Sequence, residues 1–343
     1  MSKRATKLRI LAITVLSGIV SLAPAATRAA QGTEGQLGTV KGQSGAFSFS
    51  IGASVGALGG EAYERVYAPG IRDFKVSELK WELQEIATLG VRGSLGFAGR
   101  YTLNLDYTAA VSEGNGEMVD RDWLTLGADS DEEWTDESRH PDTTVDSGTM
   151  IDFNLAVRAF TRSNFSLSGI VGVRRDEWKW SSRGGDYIYS VDWNEDGYIT
   201  PDEFRSYRGS FPEGQLVIKY EQEYTIPYLG LGCAGQWGAF SAQGRILYSP
   251  WVSAEDRDHH VLRDLAFEGD FSDGTFFGLG FEASYAFTQR IFATFLVEYE
   301  HVSEITGDMT ATPLPPEPAE FYPDGASVEI ETARVAATLG FRF

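Results

Sequence analysis

Cysteine is almost absent: Cys233 stands alone in 343 residues, so no intrachain disulfide can staple the fold. Basic residues are scarce too, 29 lysines and arginines against 49 aspartates and glutamates, a formal net charge of −20. A chain this acidic lacks the basic face that a general nucleic-acid binder requires, and cationic partners suit it better. Long apolar runs are missing beyond the first two dozen residues. That excludes a bundle of membrane-spanning helices, each of which needs about 20 consecutive apolar residues.

The apolar run that does occur, Ile10 to Leu22, follows Lys3, Arg4, Lys7 and Arg9 and precedes small residues around Ala25 and Ala29. Basic segment, short apolar segment and small residues, in that order, predict a secretory signal peptide over residues 1–29. The remaining chain, 30–343, shows neither repeats nor a second domain and reads as one unit.

Period-2 alternation runs through that unit. Ile151, Phe153, Leu155 and Val157 alternate with Asp152, Asn154, Ala156 and Arg158, and Phe277, Leu279, Phe281, Ala283 and Tyr285 repeat the pattern. Such alternation fits a β-strand with one apolar face. Tight joints at 161–164, 236–238 and 288–290 trade places with long polar segments at 114–145, 191–214, 253–264 and 304–326. Short turns on one rim and long loops on the other describe a transmembrane barrel more than a soluble sandwich. An alternating strand ending on Phe343 agrees with it. Ten strands are expected, near 45–67, 74–97, 100–113, 146–160, 165–190, 215–236, 239–252, 262–287, 290–303 and 327–343. An even number lets an antiparallel barrel close without a free edge. The expected fold is all-β, a ten-stranded antiparallel transmembrane β-barrel with long extracellular loops, and Cys233 is expected to be buried or to face lipid.

Three of the four histidines lie in the polar segments: His140, His259 and His260. On an extended strand, residues two apart share a side. Asp258 and His260 then meet, as do Asp120 and Asp122, while His259 faces away. A carboxylate on one imidazole nitrogen fixes the tautomer and makes the other a general base toward water. Two carboxylates held close resist double ionisation and can share a proton. On spacing alone, solvated loop carboxylates are the plainer explanation.

Longer motifs add specificity. Met118-Val119-Asp120, followed by Asp122-Trp123, together with Trp134 through Thr143, Arg183-Gly184-Gly185, Tyr187 through Ser190 and Gly209-Ser210-Phe211-Pro212, resemble segments of the omptin family of outer-membrane proteases, in order. Glu64 through Tyr67, Lys75 through Leu79 and Trp251-Val252 extend the resemblance from the first strand to the seventh. The resemblance implies an endopeptidase of the bacterial outer membrane, of omptin aspartic type, its active site facing the exterior and cutting beside arginine or lysine. It places a water-activating dyad on Asp258 and His260 and a facing carboxylate pair on Asp120 and Asp122. Glu64 and Asp256 receive the basic side chain, Asp136 lines the next subsite, and Ser138 and His140 belong to the groove. Ser138 is not needed as a nucleophile once dyad and water serve. The alternative is an omptin-like barrel of little activity that serves as a surface adhesin; a porin is disfavoured because a ten-stranded lumen is largely filled by side chains.

Two departures stand out. Omptins use basic residues on the outer wall to hold lipopolysaccharide, and the matching positions here read Val173, Arg175, Glu177, Glu223 and Ser272. Two glutamates replace expected arginines, which puts lipopolysaccharide dependence in doubt and leaves Arg174, Arg175 and Lys179 as candidates for another lipid phosphate. The second departure is an insertion after Ser190. Asp192, Asn194, Asp196, Gly197, Ile199 and Glu203 match an EF-hand calcium loop at positions 1, 3, 5, 6, 8 and 12. The expected Ca²⁺ ligands are the side chains of Asp192, Asn194 and Asp196, the Tyr198 carbonyl, Thr200 through water and bidentate Glu203. No catalytic metal is expected.

Overall fold

The computed structural model describes residues 47–68, 74–124, 134–313 and 318–343; the signal peptide expected over 1–29 lies outside them. The elements are β1 (Ser48–Tyr67), β2 (Lys75–Phe97), β3 (Tyr101–Ala110), β4 (Gly116–Asp122), β5 (Asp136–Arg162), β6 (Phe165–Arg183), β7 (Asp186–Tyr189), β8 (Tyr207–Ser210), β9 (Leu216–Trp237), β10 (Phe240–His260), β11 (Leu265–Ala286), β12 (Ile291–Pro313) and β13 (Glu320–Arg342). One 3-10 turn, Val261–Arg263, follows β10.

Ten of these strands close a ring, β1–β2–β3–β5–β6–β9–β10–β11–β12–β13, and β13 returns to β1, with antiparallel register throughout. The expected all-β, ten-stranded barrel is the observed fold. β4 resumes the line of β3 after a break at 111–115, pairing with β2 and β5 as β3 does below it. β7 and β8 form a small flap on the upper part of β5.

One face of the wall carries the apolar belt that lipid requires. Ile51, Leu89, Val91, Leu105, Phe153, Val171, Leu231, Ile246, Phe281 and Phe295 all point outward and are exposed. Cross-strand neighbours such as Leu105 and Phe153 make the belt continuous. Cys233 is exposed within it, pairing across to Leu167, which agrees with the lipid-facing option. Alternate residues point into the lumen, where Arg174 bonds Asp176 (2.8 Å) and Glu300, and Arg334 (2.9 Å) and Arg245 share Glu298. Above them Trp81 stacks on Tyr220 at 5.1 Å between ring centroids, with Trp180 against both.

The strands are longer than expected. β5 begins at Asp136 rather than near 146, β10 runs to His260 rather than 252, β12 to Pro313, and β13 starts at Glu320. At roughly 3.3 Å per residue, the 27 residues of β5 span about 90 Å along the strand, whereas about 9–11 tilted residues cross the hydrocarbon. Beyond the membrane the outer face meets water, and outward positions such as Ser253, Glu255 and Arg257 of β10 turn polar, so apolar alternation fades while the backbone ladder continues. Most of 253–264 and 304–326 is therefore strand, not loop. Conversely, the strand expected over 100–113 stops at Ala110, and 165–190 divides into β6 and β7.

Candidate functional site

The acidic side chains meet at the upper end of this tall wall, and strand periodicity brings them there. On β10, Asp256, Asp258 and His260 take the inward positions, and His259 takes the other side. Asp258 and His260 meet as their spacing implies: His260 Nε2 lies 2.7 Å from Asp258 Oδ2. That contact assigns the proton to Nε2 and leaves Nδ1 as the nitrogen free to accept one. Burial works against a charged His260, but the Asp258 carboxylate and its hydrogen bond outweigh it and hold the imidazole above its ordinary range.

Asp120 and Asp122 share the inner face of β4, opposite Ser138 and Asp136 of β5. Ser77 of β2 donates to Asp120 Oδ1 at 3.4 Å. Burial, and then the charge of Asp122, push the Asp120 carboxyl up to about 8. Asp122 is raised as well, chiefly by burial. His260 and Arg263 act the other way on both groups, so β4 and the end of β10 sense one another across the opening.

Glu64 of β1 and Asp256 form an adjoining acidic pocket. Burial, then Asp258, Asp256 and Asp120, hold the Glu64 carboxyl well above the carboxylate range. Burial lifts Asp256 to about 7 against the pull of the Tyr220 hydroxyl, which donates to its Oδ2 at 3.0 Å. Gln222 buttresses Tyr220, donating to its oxygen at 2.7 Å. Glu64 Oε2 and Asp258 Oδ1 are buried and lack a hydrogen-bond partner among the described residues. A buried, unsatisfied carboxylate oxygen is costly unless a donor or cation visits it.

The remaining groove residues belong to β5. Asp136 accepts from the Thr135 hydroxyl (2.7 Å) and from the Ser190 amide (2.9 Å). Ser138 and His140 touch one another, Oγ to Nε2 at 2.9 Å, while His140 Nδ1 donates to the Gly184 carbonyl at 2.5 Å. With Nδ1 protonated, Nε2 accepts the serine proton. Its Nδ1 meets a backbone carbonyl rather than a carboxylate among the described residues, and burial lowers its basicity.

The structure thus gathers Glu64, Asp120, Asp122, Asp136, Ser138, His140, Asp256, Asp258 and His260 around one opening. Sequence reasoning missed Ser77, Tyr220, Gln222 and Arg263, which reach the site from β2, β9 and the 3-10 turn. The inward alternation of Ser77, Tyr220 and Gln222 is visible on their strands, but their partners depend on a register between strands, and Arg263 lies in a turn that no alternation marks. Arg174, a candidate for lipid phosphate, is corrected: it is an inward residue held by Asp176 and Glu300. Arg175 and Lys179 do face out, but Arg175 pairs with Glu223 at 2.5 Å and Lys179 with Glu177 and Glu221 at 2.9 Å. Among the described residues, no three histidine, cysteine, aspartate or glutamate side chains are gathered so as to hold a metal ion.

Comparisons with known proteins agree with this architecture. The family profile described as "Omptin family" matches residues 46–343. The plasminogen activator of Yersinia pestis is 30% identical over 301 residues, covering 86% of this chain and 90% of its own. The outer membrane protease OmpP of Escherichia coli is also 30% identical, covering 84% and 89%. The crystal structure of the outer membrane protease OmpT of Escherichia coli superimposes with a TM-score of 0.79 at 26% identity, covering 86% of this chain and 97% of that one. Barrel, groove and relatives define a class, the β-barrel proteases of the bacterial outer membrane. Within that class the chain belongs to the Omptin family.

Proposed function

We propose that the chain is an outer-membrane endopeptidase that cleaves beside arginine or lysine, by attack of a water activated between His260 and the Asp120–Asp122 pair. The single observation that carries this reading is the buried Asp258–His260 contact facing a carboxylate pair that resists ionisation. His260 Nδ1 takes the proton of the water as its oxygen approaches the scissile carbonyl. Asp258, bonded to Nε2, steadies the imidazolium that results, which then gives its proton to the amine nitrogen as the scissile C–N bond breaks and the carboxyl product and amine leave. A proton retained by Asp120 or Asp122 removes their mutual repulsion and offers a donor to the attacking or developing oxygen. The groove faces the cell exterior, at the end of the wall opposite the tight turns.

Specificity follows from Glu64 and Asp256. A guanidinium or ammonium entering their pocket supplies the charge and donors that Glu64 Oε2 lacks, so both carboxyls can ionise. Peptides and proteins with exposed basic residues are the substrates this pocket favours. The outer wall carries ion-paired rather than free basic side chains at Arg175 and Lys179, which favours activity without a lipopolysaccharide requirement.

Detergent-refolded protein is expected to cleave a fluorogenic Arg-Arg peptide, and His260→Ala and Asp120→Ala each to lose roughly 10²–10⁴-fold while the barrel stays folded by circular dichroism. Activity surviving either change intact would refute the mechanism. The Ser138–His140 contact motivates a second reading, a serine nucleophile. The backbone carbonyl behind His140, in place of a carboxylate, speaks against it, and covalent labelling of Ser138 by a fluorophosphonate would establish it. An adhesin without turnover would cleave nothing in either assay.

A further inference from the structure

We propose that residues 192–203 bind one Ca²⁺ and that occupancy sets the position of Asp136 in the groove, the second half resting on the protease reading above. The order of side chains is the first support. Oxygen-bearing residues occupy alternate positions at Asp192, Asn194 and Asp196, Gly197 follows, and Glu203 closes the twelfth position. That order supplies the oxygen-only, seven-fold shell a calcium ion takes, with backbone and water filling positions 7 and 9. Gly197 adopts φ +86°, the left-handed turn that the sixth position of such a loop needs. Asp192 Oδ2 accepts the Gly197 amide at 2.7 Å, and Asp196 Oδ1 accepts the Tyr198 amide at 2.9 Å. Asp192 Oδ1 also accepts the Asp196 amide at 3.2 Å; a carboxylate has about four acceptor sites, so two amides still leave room for a cation.

The second support is a missing countercharge. Between Arg183 and Arg205 there is no lysine, arginine or histidine, yet Asp186, Asp192, Glu195, Asp196, Asp202 and Glu203 all lie there. Glu203 is only 7% exposed and is held by the Trp193 amide (3.1 Å) and by the Thr200 amide and hydroxyl. Those donors satisfy Glu203 as the loop stands, but six carboxylates in a stretch without a basic residue leave their mutual charge for a cation to neutralise. Ca²⁺ would draw Glu203 from Thr200 toward Asp192 and Asp196, completing the shell. Magnesium suits the loop less, since it demands a tighter octahedron and keeps several waters.

The path to the groove is one residue long. Val191 N donates to Glu203 O (3.2 Å) and closes the base of the loop. The adjoining Ser190 donates its amide to Asp136 Oδ1 (2.9 Å) and its hydroxyl to Thr135 O (2.7 Å). Arg205 N returns to Ser190 Oγ (3.0 Å), and the Arg205 guanidinium lies over the Trp134 ring. Drawing the two ends of the loop together therefore acts directly on the residue that orients Asp136.

Calorimetric titration of the full-length refolded barrel with calcium chloride tests the site. One-site binding is expected in the wild type, weakened at least tenfold in Glu203→Gln and in Asp192→Asn, the second variant guarding against misfolding of the first. No binding by the wild type, or equal binding by both folded variants, overturns the site. Cleavage of the dibasic peptide with calcium and with chelator tests the coupling: a severalfold difference is expected in the wild type and none in Glu203→Gln. Equal wild-type rates overturn the coupling. Absence of cleavage under both conditions counts against the protease reading, while the titration still decides the site.

Discussion

Asp120 combines two properties that pull against one another. Its carboxyl is pushed up to about 8 and that of Asp256 to about 7. Between the ordinary aspartate range near 3.8 and those values, the folded protein holds protons that the unfolded chain has already released. Stability therefore falls as pH rises through that window, because the native state binds more protons than the unfolded one. Asp120→Asn removes one such titration. The variant is expected to match the wild type in thermal midpoint near pH 4, to exceed it by a few degrees at pH 8, and to be nearly inactive. A midpoint that falls at pH 8 would contradict this account. At Asp256, replacement by Asn keeps an acceptor for Tyr220 but removes the charge. It should lower kcat/KM for an arginyl substrate by roughly 10–100-fold, about 1.5–3 kcal/mol for a charged hydrogen bond, with little change for an uncharged analogue. Equal losses on both substrates would remove Asp256 from the specificity pocket. How much of the site is legible in the sequence follows from the same residues. Asp258 and His260 sit on one strand, two apart, so period 2 suffices to pair them. Tyr220 and Ser77 come from other strands, and no local pattern carries the register that brings them in.

Among the elements, the β7–β8 flap shows what holds the groove residues still. Gly185, at φ +104°, lies so close to β5 that an added Cβ would sit 2.1 Å from the Arg139 carbonyl and 3.0 Å from His140 Nδ1. Only glycine lets the chain turn there and present the Gly184 carbonyl to His140. Gly185→Ala is expected to loosen the flap, with protease-accessible cleavage between 184 and 215 appearing and peptide turnover falling severalfold. Wild-type resistance in the variant would show that the flap tolerates the side chain. Strand boundaries were legible only where lipid imposes alternation. On β10 that signal stops near Val252, whereas the ladder to β9 and β11 runs on to His260. Hydrogen bonding between backbones leaves no trace in side-chain hydropathy, so the upper wall looked like loop.

For the molecule as a whole, the lumen is an ion-pair lattice and not a channel. Arg92 reaches Asp106 (2.6 Å) and Glu282, Arg334 reaches Glu298, and Tyr228 donates to Asp152 at 2.7 Å. With the aromatic layer of Trp81, Trp180 and Tyr220 above, these side chains occupy the space a hydrated ion would need. Planar bilayers containing the refolded protein are expected to show no steady conductance of the kind porins give; stable open steps would overturn the view of a filled barrel. Closure itself has a further consequence. β1 pairs along its whole length with β13, from Ser50 opposite Arg342 to Val66 opposite Ala326, and the Phe343 amide bonds the Phe49 carbonyl at 2.9 Å. The seam thus joins the most distant strands in sequence, and until it forms both β1 and β13 expose a complete edge. Loop-closure entropy must be met in full before that edge is satisfied. Assembly is then a late, all-or-none event: a chain emerging piecemeal gains little from its early hairpins, and the partly built sheet is the state most open to pairing with the wrong partner.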